Sequence, residues 1–311
     1  MTIRLAHFHG LQSSPNSHKA QAFRQCLARY QLELLVPDLR QPDFSHLSLR
    51  ATYAHLEREL DLRTASGQEH DAQDVQRWIL IGSSLGGHLA ARLAERFSHQ
   101  ISGLLLLCPA LDLKSLWDRA LSAKVREKWR MDGSMPLADS SGELQPFHYG
   151  FYEEVQHEPS ALDPQVPTRV IHGRADLTVP IEDSRAFVAK SAMRSLEEVE
   201  DDHALAAHVP TIVHGVLQLL REQSPGALTE LEWPDPNEPT SSAHWDFFGP
   251  TSQPTAAHFL KHLDEFMNTR GYLRPIAGLD SRAQGHCEVW MRIPARHVDA
   301  IRSALRPHRF E

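Results

Sequence analysis

Through its first 223 residues the chain alternates short apolar runs with segments of helical spacing, and this constrains the fold more than any other feature. Repeated strand-helix-strand order implies a parallel sheet with right-handed crossovers. Residues 3–7, 34–37, 78–82, 101–108, 168–172 and 196–199 read as strands. The 101–108 run is almost continuously apolar, as a central strand covered on both faces must be. Between these runs, Ser14-Pro15 reads as an N-cap with proline at the first helical position, opening a helix that runs to Tyr30. Over 47–63, Leu49, Tyr53, Leu56 and Leu60 share one helical face. Residues 85–97, 181–191 and 204–222 read as further helices.

One stretch breaks this order. Residues 112–165 form a long insertion with helical material over 116–129, then a loop rich in Gly, Ser and Pro, then the aromatics Phe147, Tyr149, Phe151 and Tyr152. Long insertions in compact domains serve as lids or binding loops. Residues 224–242 hold four prolines, four acidic residues and no basic one, the composition of an extended linker. Residues 243–311 then show their own pattern. A strand is expected over 245–248 and a helix over 255–269, with Phe259, Leu263 and Phe266 in one stripe. An alternating strand over 287–293 and a helix over 295–305 follow. This predicts a small α+β unit, ferredoxin-like, with two helices on an antiparallel sheet. The expected domains are therefore 1–223 and 243–311, joined by 224–242.

Composition narrows the function. Of 311 residues 41% are hydrophobic and 23% charged, an ordinary globular balance. No apolar run approaches the roughly 20 residues of a membrane span. Three scattered cysteines, Cys26, Cys108 and Cys287, are too few for a disulfide framework or a cysteine zinc site. The N-terminus enters a strand with no signal-peptide apolar region, so a reducing, cytoplasmic setting is expected. A net charge of −8 argues against nucleic-acid or anionic-membrane partners. The charge divides unevenly, −6 over the first 223 residues and +2 over the last 69, a mild asymmetry that could let the two parts dock.

The chemistry gathers at the ends of the strands. Gly82-Ser83-Ser84-Leu85-Gly86-Gly87 matches G-x-S-x-G with Ser84 at its centre, after an apolar strand and before a helix. Such a turn exposes the central serine above a sheet, with glycines where a side chain would strike a neighbouring element. The amide of Leu85 at the helix start is a candidate oxyanion donor. Ser83 is the rival nucleophile, out of register with the glycines. His9-Gly10, after the first strand, places Leu11 as the second oxyanion donor; a simple turn is the alternative reading. The expected order Ser…Asp…His is met by Asp176, on the loop after 168–172, and by His203 in Asp201-Asp202-His203. Asp176 would hold His203, and His203 would take the proton of Ser84.

Taken together, FHGLQSSPNSHK at 8–19, GSSLGG at 82–87, HGRADLTVP at 172–180 and DDHAL at 201–205 resemble the α/β-hydrolase superfamily, and within it the small YqiA-type esterases. The SSP-x-S-x-K segment is more specific than the serine turn. The resemblance covers residues 1–223 and implies an α/β-hydrolase fold, into which residues 112–165 are expected to be inserted as a helical lid. It implies Ser84, Asp176 and His203 as triad, an oxyanion loop at Gly10-Leu11, no metal or organic cofactor, and acyl esters or thioesters as substrates. The insertion and the C-terminal unit depart from the compact family pattern and bear on substrate choice.

Other groups remain open at this level. Trp117, Trp129, Phe147, Tyr149, Phe151 and Tyr152 line an acyl pocket or form the lid's own core. His258 and His262 share a helix face beside Lys261, Asp264 and Glu265, as a metal pair or a solvated surface. Lys124–Arg130 reads as a solvated face or an attractor of an anionic substrate, and Arg174 as an ion pair or a substrate contact. Cys108 reads as packing. The expected function is a serine hydrolase of small-molecule esters or thioesters. A serine peptidase, or a scaffold whose C-terminal unit binds a partner, are the alternatives. That unit could make a homodimer or cover the active site.

Overall fold

The computed structural model describes residues 3–28, 30, 32–63, 76–159, 161–224, 239–269, 277–283 and 285–311. The chain divides into two compact units, Met1–Thr229 and Glu230–Glu311. Most of the expected linker, 225–238, lies outside the described residues.

In the first unit, β1 (Ile3–Phe8), β2 (Leu34–Leu35), β3 (Arg77–Ser83), β4 (Ile101–Leu107), β7 (Thr168–Gly173) and β8 (Arg194–Val199) form one parallel sheet. Its order is β2-β1-β3-β4-β7-β8. From β1 the chain steps outward to β2, then returns to the other side of β1 as β3 and continues outward. The connections above β1 and β3 therefore diverge, and this switch point is where open α/β sheets hold ligands. Phe8 and Gly82 are in register at that edge. All seven residues of β4 are buried, so its unbroken apolar run is a strand with both faces covered.

Helices α1 (His18–Ala28), α2 (Leu49–Glu59), α3 (Leu85–Arg96), α7 (Ile181–Val188) and α8 (Val209–Gln223) follow the strands. The expected start of α1 at Pro15 is three residues early. Ser14 and Ser17 close a turn, and Ser17 Oγ accepts the amide of Ala20, so Ser17 is the cap. The helix expected from 204 starts later too, because a short 3-10 turn at Ala206–His208 precedes α8.

The insertion holds α4 (Leu113–Ala120), α5 (Ala123–Asp132), the hairpin β5 (Ser134–Ala138) and β6 (Leu144–His148), and α6 (Gly150–His157). Asp112 caps α4 by accepting the Ser115 amide at 3.0 Å. The hairpin stands where a loop was expected. Pro136 faces Pro146 in its register. A two-stranded ribbon tolerates proline because each strand has an open edge, whereas in sequence proline argues against a strand. The turn is closed by Asp139, whose carboxylate accepts the Ser141 amide at 2.8 Å.

The second unit is β9 (Thr240–Phe248), α9 (Ser252–Thr269), β10 (Ala277–Ala283), β11 (His286–Pro294), α10 (Val298–Leu305) and β12 (Arg309–Phe310). All its pairings are antiparallel, in the order β10-β11-β9-β12. This βαββαβ path is ferredoxin-like. Ala243, Trp245, Val289, Met291 and Ile293 form its core with Leu263 and Ile301 from the helices. On the other sheet face, Glu288 is buried and bonded by His244, Arg282 and Arg309. The strand expected at 245–248 begins earlier, at Thr240, inside the expected linker, and β10 and β12 were not foreseen.

Candidate active site

Ser84 occupies the turn between β3 and α3 with φ 52° and ψ −115°. A serine in that region is strained, and it persists only where its surroundings over-determine it. They do so here: its amide donates to Leu107 O at 3.0 Å, and its carbonyl accepts from Gly87 N at 2.9 Å and Ala110 N at 3.1 Å. From Trp78 to Ala91, Ser84 is the one residue that is not buried. Ser83, the rival nucleophile, is buried, with its hydroxyl 3.3 Å from His7 Nε2. Burial first, and then the neighbouring charges of His9, Lys19 and Arg24, push the His7 imidazole down to about 3, so that ring is neutral.

The glycines of the motif are demanded by close approach. A Cβ on Gly82 would stand 2.5 Å from Gly86 O, and one on Gly86 would stand 2.2 Å from Phe8 O. A Cβ on Gly87 would stand 2.7 Å from the Pro109 ring. Gly10 differs. It does lie against the serine, but a Cβ there would be 3.6 Å from Ser84 Cβ, an ordinary contact. The amides of Leu11 and Leu85 donate to no protein group among the described residues, so both are free for a ligand oxygen. His9 is spent on structure: its Nδ1 meets Gly10 O at 2.8 Å and its Nε2 accepts the Leu39 amide at 3.3 Å.

Asp176 and His203 come together from the loops after β7 and β8. His203 Nδ1 lies 2.7 Å from Asp176 Oδ2. The Asp176 side chain is fully buried and that of His203 is 28% exposed. The other carboxylate oxygen accepts the amides of Thr178 and Val179 at 2.8 and 2.9 Å. Burial alone would raise this carboxyl, but hydrogen bonds from His172, His203 and the Val179 amide outweigh it and hold Asp176 well below the usual carboxylate range. An ionised Asp176 fixes His203 as the tautomer with its proton on Nδ1, leaving the Nε2 lone pair unused. No hydrogen bond of 3.5 Å or less joins His203 Nε2 to Ser84 Oγ among the described residues. In unliganded sites that bond is commonly long and tightens with substrate. The two halves meet at the end of β4, where the Ser84 amide is bonded to Leu107 and the next residue, Cys108, touches the acid-base pair.

Two residues here were not foreseen as functional. His172 lies fully buried with Nε2 3.2 Å from Asp176 Oδ2 and 3.1 Å from Val179 O, and Nδ1 2.8 Å from Ser184 Oγ. It meets the same carboxylate oxygen of Asp176 as His203 does; its only signal in sequence is its place four residues before the acid. Cys108, expected to be packing, has φ 41°. Its sulfur, an Asp176 oxygen and a His203 nitrogen lie within 4.8 Å of one another. Such a set could hold a metal by distance alone. Its chemistry favours the acid-base pair: burial pushes the Cys108 thiol up to about 12, so it stays protonated, and four donors already occupy the carboxylate.

The lid aromatics pack on one another. Trp129, Phe147, Phe151 and Tyr152 are buried, and Trp129 Nε1 donates to Phe147 O at 2.8 Å. Ring contacts of 5–6 Å link them to Trp117 and Tyr149, which stay partly exposed. The insertion's own core thus accounts for the four buried rings, and Trp117 and Tyr149 are the two with surface to offer. A cavity of about 740 Å³ lies elsewhere, between α2 and α6, lined by Tyr53, Glu57, Arg96 and Glu154 among others. Arg174 is paired with Glu198 and Glu200, and α5 is a solvated face with Arg130 on Glu127. His258 and His262 are exposed, their Nε2 atoms 2.9 Å apart; the side chains of Asp264 and Glu265 lie outside the described residues.

Comparison with known proteins places the fold. No curated protein matches the chain. Among solved structures it is similar to α/β hydrolase domain-containing protein 10 from mouse, at 19% identity and TM-score 0.54, covering 71% of this chain and 90% of that one. It is similar also to Est1E from Butyrivibrio proteoclasticus with bound ferulic acid, at 19% identity and TM-score 0.53, covering 71% of this chain and 89% of that one. At such identities the likeness is one of fold, and the fold is that of the α/β hydrolases. A family model matches residues 4–216, more than half of the chain and most of the first unit, and the chain belongs to the uncharacterised protein family UPF0227.

Proposed function

We propose that the chain is a cytoplasmic serine hydrolase that cleaves carboxylic esters or thioesters of small molecules, without metal or organic cofactor. Ser84 Oγ attacks the acyl carbon while His203 Nε2 takes its proton. The buried Asp176 carboxylate orients His203 and stabilises the imidazolium. The free amides of Leu11 and Leu85 receive the oxyanion, and the positive end of α3 adds to their field. The tetrahedral species collapses when His203 returns the proton to the leaving oxygen or sulfur. Water, activated by the same imidazole, then attacks the acyl-enzyme and releases the acid. The acyl group is assigned to Trp117 and Tyr149, the two lid rings that keep exposed surface.

The observation that carries this reading is the 2.7 Å bond between His203 Nδ1 and a fully buried, multiply bonded Asp176, together with a strained Ser84 that is the one unburied residue of its turn. The φ 52°, ψ −115° of Ser84 lies outside the left-handed helical region that Leu205 and Arg306 occupy at ordinary helix ends. The test is turnover of p-nitrophenyl esters of increasing acyl length by the native chain and by Ser84→Ala and His203→Ala. Each variant is expected to lose at least 10³-fold in kcat. Unchanged turnover in Ser84→Ala overturns the reading.

A further inference from the structure

His203 lies in no helix or strand. Its place is set by the turn 201–208, which runs from the end of β8 through the 3-10 turn before α8. An imidazole that must meet a serine from such a turn needs the turn held, because a shift of about 1 Å costs about 100-fold in rate. The turn's own backbone holds it with long bonds: Leu205 N donates to Asp202 O and His208 N to Leu205 O, both at 3.3 Å.

The shorter bonds converge on Asp201. Its Oδ2 accepts His208 Nδ1 at 2.9 Å and the Ala207 amide at 3.1 Å, and its Oδ1 accepts the Asp202 amide at 2.8 Å. One carboxylate thus ties the residue just before His203 to the residues four and five after it. The Asp201 and His208 side chains are 14% and 24% exposed, so these bonds are partly shielded from water. Burial opposes the charge of Asp201, but the bonds from His208 and the Asp202 and Ala207 amides outweigh it and hold the carboxyl below its ordinary value. The Asp201 carbonyl has a second task. It accepts the amide of Ala175, the residue before the catalytic acid, at 3.0 Å. Gly173 packs against the same stretch: a Cβ there would stand 2.4 Å from Asp201 O and 2.5 Å from Asp202 O. The loop of the acid and the loop of the base therefore meet backbone to backbone at Asp201.

We propose that Asp201, anchored by His208, is a positioning residue for the hydrolase reaction: it fixes the turn that carries His203 and sets that turn against the loop of Asp176. The inference rests on the serine-hydrolase reading and adds a second carboxylate–histidine pair to it. Both residues act through His203, whose Nε2 must meet Ser84 Oγ as substrate binds, and the chemical steps at Ser84 are unchanged.

The test is turnover of p-nitrophenyl butyrate, with rates counted per serine that a fluorophosphonate labels at completion, so that misfolded chains drop out. Asp201→Ala should lower kcat by about tenfold to a hundredfold and leave KM within about twofold. His208→Phe should show the same split. His208→Asn, whose side-chain N–H can stand where Nδ1 stands, should recover most of the rate. Should Asp201→Ala fail to fold, the two His208 variants decide the matter. Glu200→Ala is the control: it removes the exposed pair of Arg174 and Glu200, 2.6 Å apart, which joins the same two loops at the surface, and it should leave turnover unchanged. Full kcat in His208→Phe, equal losses in His208→Phe and His208→Asn, or a loss in Glu200→Ala as large as in Asp201→Ala overturns the proposal. A native chain that turns over no ester is a different failure, because it removes the hydrolase reading itself.

Discussion

Gly86→Ala sets two physical effects against each other at the site. Gly86 is the second residue of α3, and alanine in a helix is favoured over glycine by about 1 kcal/mol. Propensity alone predicts a more stable protein. The new Cβ, however, would lie 2.2 Å from Phe8 O and 2.7 Å from His9 O. Carbon and oxygen meet comfortably at roughly 3.3 Å even in weak hydrogen bonds, so the overlap is about 1 Å. Both partners are backbone. β1 is paired on each side, by β2 and β3, and α3 is buried along most of its surface. The overlap can be relieved only by moving the end of β1 away from the start of α3. The first carries the Leu11 amide and the second carries Ser84, so the displacement falls between oxyanion donor and nucleophile. A shift of about 1 Å in a catalytic constellation costs about 100-fold in rate. Overpacking of this kind costs about 1–3 kcal/mol, which exceeds the gain in propensity. The expected result is a modest net loss of stability in urea denaturation and a fall of about 100-fold in kcat/KM for p-nitrophenyl butyrate. Gly10→Ala is the control, with its Cβ at 3.6 Å from Ser84 Cβ, and should change stability by less than about 0.5 kcal/mol. A Gly86→Ala protein that is more stable than the native chain and fully active would refute the reasoning. So would a Gly10→Ala protein more damaged than Gly86→Ala.

Three further outcomes follow from the same contacts. His172→Leu leaves Ser184 Oγ and Val179 O buried without partners, at about 1–3 kcal/mol each, and loosens Asp176. Unfolding free energy and kcat should both fall, and a variant of native stability would contradict the role given to His172. The Glu288 carboxyl is buried, which would raise it, but Arg282, Arg309 and His244 hold it at about 2 against an ordinary 4.5. A carboxyl depressed by folding adds stability above its ordinary value and loses it as pH falls through the folded one, so this contribution should fade between about pH 4.5 and 2. Glu288→Gln should lower the melting temperature at pH 7 and flatten its fall across that window; an identical pH dependence would refute the network's role. Trp129→Ala should cost about 3–5 kcal/mol, as expected for a ring sealed in the insertion's core, and a cost near zero would restore it as a pocket residue.

Local signals were most legible where one face of an element meets one demand. The β4 run from Ile101 to Leu107 is apolar because both sheet faces are covered, and the glycines around Ser84 are spaced by the backbones they pass. The residues expected to carry the chemistry lie where loops leave the strand ends, and Asp176 and His203 meet although 27 residues separate them. Less legible were elements defined by partners rather than pattern. The β5–β6 hairpin carries prolines that argue against strands, and β10 is exposed over its last four residues with little alternation to read. The start of α1 moved because two serines offered competing caps and the turn at Ser14 to Ser17 used the first. His172 and Cys108 were invisible as site residues because their roles come from Asp176, a residue brought to them by the fold. The lid aromatics were ambiguous in sequence because a ring lining a pocket and a ring in a core have the same composition.

The central claim is that Ser84 is the nucleophile. The most direct measurement is treatment of the native chain with a fluorophosphonate, followed by digestion and mass spectrometry of the peptide that carries residues 83 and 84. A single phosphonyl adduct on Ser84, absent from Ser84→Ala and strongly slowed in His203→Ala, is the predicted result. An adduct on Ser83, or equal labelling of Ser84→Ala, would contradict it.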